Sequence, residues 1–170
     1  KNVNINISRG DIYGFVGENG SGKTTIIRLI TGLIFPTQGS FKLFGVDNTS
    51  NDILKVRKKI GAIVESPSIY QNMSAYDNLK QQCILLGKDE KQILPTLKEV
   101  GLENLYYEKK KAGDFSLGMR QSLGIAMALL GEPEFLILDE PMNGLDPAGI
   151  VGIRELILRL DGERGITFLI

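Results

Sequence analysis

Eight residues near the start of the chain, 17–24, have the composition and spacing of a loop that binds phosphate. They are G-E-N-G-S-G-K-T, which matches G-x-x-x-x-G-K-[ST] at every fixed position. Glycines let the backbone curl so that its N–H groups point at phosphate oxygens, and the following helix adds its positive N-terminal end. We expect the Lys23 ammonium to reach the β- and γ-phosphates of a nucleotide and the Thr24 hydroxyl to bind Mg²⁺. The predicted nucleotide-binding residues of this loop are Gly17, Asn19, Gly20, Ser21, Gly22, Lys23, Thr24 and Thr25.

Two carboxylates, Asp139 and Glu140, follow the strongly apolar segment Phe135–Leu138. Ligands of parallel α/β sheets bind at the carboxyl ends of the strands, so this pair would lie beside the phosphate-binding loop. We expect Asp139 to hold Mg²⁺, directly or through water, and Glu140 to take a proton from the attacking water. A surface turn is the alternative for an isolated Asp-Glu pair, and the intact loop upstream argues against it.

The periodicity of the sequence predicts the elements that position these groups. The predicted strands are 3–7, 11–16, 40–44, 60–64, 135–138 and 167–170. The predicted helices are 24–33, 52–59, 75–86, 89–100, 118–130 and 147–160. Strands and helices alternate near both ends, whereas the middle contains helices alone. This order predicts an α/β core that carries an inserted helical subdomain.

Composition excludes several classes of site. Twenty basic and twenty acidic residues give a formal net charge of zero, so we expect neither nucleic acid nor an anionic membrane surface as a main partner. One cysteine and no histidine exclude an internal disulfide, a multi-cysteine zinc site and a histidine base. No apolar segment approaches the roughly 20 residues that cross a bilayer. We therefore expect a soluble, intracellular chain.

Two further segments carry a resemblance to a known family. Residues 115–121, F-S-L-G-M-R-Q, resemble the signature sequence of ABC ATPases in its S-L-G-M-x-Q form. Residues 141–147, P-M-N-G-L-D-P, resemble the D-loop that follows the Walker B motif in that family. With the phosphate-binding loop and the apolar strand ending in two carboxylates, four motifs occur in the family's order. An unrelated P-loop protein is the alternative.

The resemblance implies a head-to-tail dimer with ATP and Mg²⁺ held between the P-loop of one subunit and the signature of the other. Ser116 and Gly118 would then touch the γ-phosphate bound to the partner chain, and Asp146 would communicate across the interface. The family's fold is a P-loop NTPase core with an inserted helical subdomain. The resemblance assigns residues 1–170 to one ABC ATPase domain. Residues 1–66 and 134–170 would form its α/β core, and residues 67–133 its helical subdomain.

The chain departs from the family pattern at Glu65, where most members have glutamine. A carboxylate there can still reach Mg²⁺ or its water, so Glu65 is predicted as both a catalytic and a metal-binding residue. Residues 60–67 and 72–79 are similar to the bacitracin and lantibiotic export branch, in which glutamate replaces the glutamine. An incidental substitution in another exporter is the alternative.

Two family features are missing from the sequence: the switch histidine after the last strand and an aromatic residue upstream of Lys1 that stacks on adenine. We expect a domain truncated at both ends, which binds ATP weakly and hydrolyses it slowly. The catalytic residues predicted for the complete domain are Lys23, Glu65 and Glu140.

The resemblance implies a function and its partners. We expect an ATP-hydrolysing subunit that powers export, with peptide antibiotics as the favoured cargo, through a separate permease docked at residues 65–79 and the helices beyond them. It would work as a homodimer or with a second ATPase domain, cytoplasmic and peripheral at the inner face of the membrane, which it meets only through the permease. A non-transport ABC ATPase of DNA repair or translation and a non-hydrolysing regulatory module are the alternatives.

Overall fold

A four-stranded parallel sheet with the order β1-β6-β5-β4 forms the centre of the protein. The computed structural model describes residues 3–18 and 20–170. The strands are β1 (Ile12–Tyr13), β2 (Lys42–Leu43), β3 (Val46–Asp47), β4 (Ile60–Ile63), β5 (Phe135–Leu138) and β6 (Thr167–Leu169). The helices are α1 (Lys23–Thr31), α2 (Ile53–Arg57), α3 (Ala75–Leu86), α4 (Ile93–Glu99), α5 (Leu117–Leu129) and α6 (Pro147–Arg164). Short 3₁₀ turns occupy Glu90–Gln92, Glu103–Tyr106 and Ala112–Asp114.

The sheet is parallel throughout, and its central strand β5 is buried at every residue. Strands buried on both faces are continuously apolar, which is why Phe135–Leu138 contains no polar residue. The α/β fold class predicted from the sequence is confirmed. In the described part of the chain, no helix is both long and apolar enough to cross a membrane.

One hydrophobic core joins the sheet to the helices of the central segment. Leu79 of α3 and Leu123 of α5 are fully buried in the same cluster as Leu136 of β5 and Phe168 of β6. The helices α3, α4 and α5 lie within 67–133, and the six strands lie outside it. The division into 1–66 with 134–170 and 67–133 stays a prediction, because both parts share this core.

Local capping explains the helix whose bounds the sequence predicted best, α3. Ser74 precedes it, and its Oγ accepts a hydrogen bond from the Asp77 N–H at 3.1 Å. Gly87 ends it in a left-handed conformation with φ 65, which glycine adopts without steric cost. Cys83 on this helix is buried, and burial raises the pKa of its thiol.

Two predictions of local structure were wrong, and a third was incomplete. The predicted strand at 3–7 is absent, because residues 3–8 form no strand although Ile7 packs against a small cluster beside the sheet. The predicted helix at 89–100 begins instead as a 3₁₀ turn, and Pro95 lies in the first turn of α4, where its missing N–H costs no helical bond. The predicted strand at 40–44 is one arm of an antiparallel hairpin, β2–β3, whose second arm the sequence did not predict.

Candidate functional site

Glycines with positive φ shape the phosphate-binding loop between β1 and α1. Gly20 and Gly22 have φ 80 and 103, a left-handed conformation that other residues rarely adopt. A Cβ on Gly17 would lie 2.8 Å from the Oγ of Ser21, so a side chain here would require the Ser21 hydroxyl to move. Asn19, a predicted nucleotide ligand, lies outside the described residues. Backbone geometry therefore favours glycine at positions 20 and 22.

The N-terminus of α1 has no side-chain cap. Gly22 is its N-cap residue, and it provides no side-chain acceptor for the first N–H groups. The first turn, which contains Thr24 and Thr25, has no acidic residue. An anion bound here would accept hydrogen bonds from these N–H groups and interact favourably with the helix dipole.

Lys23 connects the loop to the carboxylates at the end of β5. Its Nζ donates to the carbonyl oxygen of Gly17 at 2.7 Å and to that of Glu18 at 3.3 Å. The same Nζ lies 3.7 Å from Oε1 of Glu140. A side chain from the start of α1 and one from the end of β5 thus meet at the loop.

Asp139 and Glu140 differ sharply in environment although they are neighbours. Asp139 is buried, and its N–H donates to the Ile63 carbonyl at 2.9 Å, which extends the pairing of β5 with β4. Glu140 is exposed and has a left-handed φ of 48. Its Oε2 accepts a hydrogen bond from Asn143 Nδ2 at 3.4 Å. The change of backbone conformation directs the two carboxylates into different surroundings.

The residues present fit a Mg²⁺ ion that is held mainly by nucleotide phosphates. No group of three or more potential ligands among Asp, Glu, Cys and His occurs in residues 3–18 and 20–170. Mg²⁺ in nucleotide sites uses only one or two carboxylates and keeps phosphate oxygens and waters as its other ligands. Asp139 and the Thr24 hydroxyl stay the predicted ligands from this chain.

Glu65, the predicted departure from the family, also has a left-handed backbone, with φ 65. The N–H of Ser66 donates to the carbonyl of Val64 at 2.8 Å, which closes a three-residue turn around it. Left-handed conformations cost non-glycine residues about 1–2 kcal/mol. The Glu65 carboxylate forms an ion pair with Arg28 of α1. Its role as a metal or catalytic group stays a prediction.

Ser116 caps the signature helix α5. Its Oγ accepts a hydrogen bond from the Met119 N–H at 3.2 Å. The Arg120 guanidinium bonds back to the carbonyl of Phe115. A Cβ on Gly118 would meet its nearest neighbour, Leu145, only at 3.9 Å, so the backbone at this glycine is approachable.

Asp146 caps α6 in the same way, since its Oδ1 accepts a hydrogen bond from the Gly149 N–H at 2.9 Å. Pro147 follows in the first turn, where proline is well tolerated. The loop before it turns at Gly144, which has φ 73. The predicted D-loop therefore has an evident structural function in addition to any contact with a partner.

Five of the predicted site residues fall into two groups. Lys23 and Glu140 meet at the loop, whereas Ser116, Gly118 and Asp146 line a separate cleft of about 660 Å³ between α5 and α6. Among the described residues, no hydrogen bond or ion pair joins the second group to the first.

Arg28 is a residue near the site that the sequence analysis missed. It lies in the helical pattern after the loop, where an arginine is an ordinary solvent-facing residue. Only its contact with Glu65, a residue distant in sequence, distinguishes Arg28 from an ordinary surface arginine.

Comparison with known proteins gives consistent results. The profile of the ABC transporter family matches residues 1–143. The lantibiotic transport ATP-binding protein SrtF of Streptococcus pyogenes is 47% identical over 169 residues, which are 99% of this chain and 71% of SrtF. The bacitracin transport ATP-binding protein BcrA of Bacillus licheniformis is 50% identical over 169 residues, which are 99% of this chain and 54% of BcrA.

Two solved structures share the fold. One is cbiO1 of Clostridium perfringens, part of the ABC transporter complex cbiONQ, with a TM-score of 0.86 and 32% identity over 99% of this chain and 69% of cbiO1. The other is a dimeric ATP-binding cassette in a post-hydrolysis state with ADP and Pi. Its TM-score is 0.83, with 30% identity over 99% of this chain and 77% of that one.

Proposed function

The chain belongs to the ABC transporter family, and from this premise we propose that it binds and hydrolyses ATP with Mg²⁺ to power export through a separate permease. The favoured cargo is a peptide antibiotic, since SrtF and BcrA are named for lantibiotic and bacitracin transport. The chain spans 71% of SrtF and 54% of BcrA, so cargo and partners of the whole protein are part of the proposal. Nothing favours a repair or translation ATPase.

One observation carries the ATPase proposal. The Lys23 ammonium lies at the loop carbonyls and 3.7 Å from the Glu140 carboxylate. The candidate base therefore lies beside the phosphate-binding loop, which is where phosphoryl transfer needs a residue that orients the attacking water.

Each side chain has a separate task in this proposal. The N–H groups of the loop and of α1 bind the phosphates, and Lys23 places a charge against the β- and γ-oxygens. Thr24 and Asp139 would hold Mg²⁺, which when bound neutralises developing negative charge on the phosphates. Glu140 orients a water and accepts its proton. None of these roles requires histidine.

A second copy, or a second ATPase domain, would complete the site. Ser116 and Gly118 lie in a cleft of their own and make no hydrogen bond to the loop of the same chain in the described residues. The capped start of α5 offers N–H donors and the Ser116 hydroxyl to a phosphate bound by the partner. Asp146, beside them in that cleft, would lie at the same interface.

The permease would dock in a groove of about 790 Å³ between β4 and the helices α3 and α5. Its apolar lining includes Leu85 and Leu86 of α3, both exposed, with Pro67 and Met127. A short amphipathic helix from a cytoplasmic loop of the permease is the occupant we propose. This attachment would hold the chain at the inner face of the membrane.

The test is Glu140→Gln in the full-length protein. ATP affinity should stay within about twofold, because glutamine keeps the size of the side chain, while hydrolysis falls by roughly 10²–10⁴-fold with the base removed. Light scattering should show an ATP-dependent dimer that accumulates. Glu163→Gln, a surface change on α6, is the matched control and should behave like the parent.

Unchanged turnover in Glu140→Gln would remove Glu140 from its role as base. A variant that binds ATP, fails to hydrolyse it and yet stays monomeric would contradict the shared site.

A further inference from the structure

Glu65 and Glu140 occupy matching positions at one edge of the sheet. The parallel ladder of β4 and β5 places Ile63 opposite Leu138, and the next bond, from the Asp139 N–H to the Ile63 carbonyl, extends it at 2.9 Å. Each glutamate lies two residues beyond that last pair. Both have left-handed backbones, with φ 65 and 48. Two neighbouring strands thus end in the same way, each with an exposed carboxylate.

The helix α1 supplies a cation to each of these carboxylates. Lys23, its first residue, lies 3.7 Å from Glu140, and Arg28, near its last turn, forms an ion pair with Glu65. No other ion pair to Glu65 occurs in the described ranges of the chain. The turn around Glu65, closed by the bond from the Ser66 N–H to the Val64 carbonyl, fixes where its side chain leaves the backbone.

We propose that Arg28 is a positioning residue for the ATPase reaction. Its guanidinium neutralises the Glu65 carboxylate and holds it toward α1. A carboxylate at this strand end repels the phosphates of a nucleotide bound at the loop, because both are negative and lie within the range over which salt screens incompletely. The guanidinium offsets that repulsion. A glutamine at position 65 would need no such partner. This inference rests on the proposed ATP site.

The ion pair adds little to folding stability. The side chains of Arg28 and Glu65 are 43% and 61% exposed, and pairs this exposed are weak in stability measurements. Loss of Arg28 should therefore change nucleotide affinity without a comparable change in melting temperature. If Arg28 had only a structural role, its loss would lower the melting temperature and leave nucleotide affinity unchanged.

A double-mutant cycle isolates the effect, with Arg28→Met, Glu65→Gln and the double variant compared with the parent protein. The measurement is the Kd of mant-ATP with Mg²⁺, with KM for ATP and melting temperature beside it. Arg28→Met should raise Kd and KM roughly fivefold, the effect of one uncompensated charge in a partly screened site. In the Glu65→Gln background the same change should alter Kd by less than about twofold, since no carboxylate remains to neutralise.

Two controls sharpen the result. Arg28→Lys keeps the positive charge and should restore most of the affinity that Arg28→Met loses. Lys55→Gln breaks a more exposed pair with Asp52 at the start of α2 and should leave Kd unchanged. The coupling between positions 28 and 65 should shrink when the salt concentration rises, because it is electrostatic.

Equal losses from Arg28→Met in both backgrounds would overturn the inference, since Arg28 would then act without Glu65. Unchanged Kd in both backgrounds would overturn it too. All variants are made in the full-length protein. If that parent protein fails to bind mant-ATP, and matches Lys23→Ala, the nucleotide site is rejected and the inference falls with it. Parent binding with no coupling rejects the inference alone.

Discussion

The first turns of α1 and α5 are both proposed phosphate contacts, yet they are built differently. Gly22 precedes α1 with φ 103 and gives no side-chain hydrogen bond to the helix. Ser116 precedes α5 in an extended conformation, and its hydroxyl accepts the Met119 N–H. The start of α1 lacks any side-chain acceptor, whereas the start of α5 already has one from its own sequence.

This difference indicates how each helix end can depend on nucleotide. The N–H groups at the start of α1 gain acceptors when a phosphate binds, so α1 should be stabilised by ligand. The α5 end is stable without ligand, and its capping serine keeps an O–H to donate outward. The first end is suited to primary binding and the second to a supplementary contact from a partner chain.

The largest effect should come from Lys23→Ala, which removes the cation at the start of α1, the helix without a side-chain cap. We expect the Kd of mant-ATP with Mg²⁺ to rise roughly 10- to 100-fold, the value of a hydrogen bond from a charged donor. Lys91→Ala, at a side chain that is 90% exposed, is the control and should have no effect. Unaltered affinity in Lys23→Ala would mean that the loop assignment fails.

An intermediate effect should come from Ser116→Ala, which removes the side-chain cap at the start of α5. Loss of the cap should reduce the free energy of unfolding by about 1 kcal/mol, as chemical denaturation can measure. Nucleotide affinity of the monomer should not change, because the loop is intact, whereas ATP-dependent dimerisation in the Glu140→Gln background should weaken.

The matched control for that change is Ser74→Ala, since Ser74 caps α3 through the same type of bond to Asp77. Because the buried Ser74 hydroxyl also donates to the Asp77 carboxylate, this change should cost at least as much stability, and it should leave dimerisation unaltered. If both serine variants weaken the dimer equally, the Ser116 effect reflects helix stability and not a contact with phosphate.

The smallest effect should come from Asp146→Asn, at the capped end of α6. Asparagine is as good an N-cap as aspartate, so the free energy of unfolding should change by less than about 0.5 kcal/mol, part of it from the lost charge at the helix dipole. Asp146→Ala should cost about 1 kcal/mol. Equal losses in both variants, measured by denaturation, would show that charge and not capping is what matters there.

Local patterns were the successful part of the sequence analysis. The helix at Ala75–Leu86 and the strand at Phe135–Leu138 have the bounds that the sequence predicted. Caps and a continuous apolar strand are signals that depend on a few adjacent residues. Apolar and polar residues alternate at 3–7, but no such local signal supports a strand there. A segment with this alternation forms a strand only where another strand is available to pair with it.

The sequence by itself determined the phosphate-binding loop, the apolar strand that ends in Asp139 and the family to which the chain belongs. These features are local, because glycine positions and hydrophobic runs set backbone conformation within a few residues. Only the tertiary structure decided that Lys23 meets Glu140 and that Arg28 meets Glu65. Both contacts join residues far apart in sequence, and they exist because the parallel sheet places the ends of β4 and β5 side by side near α1.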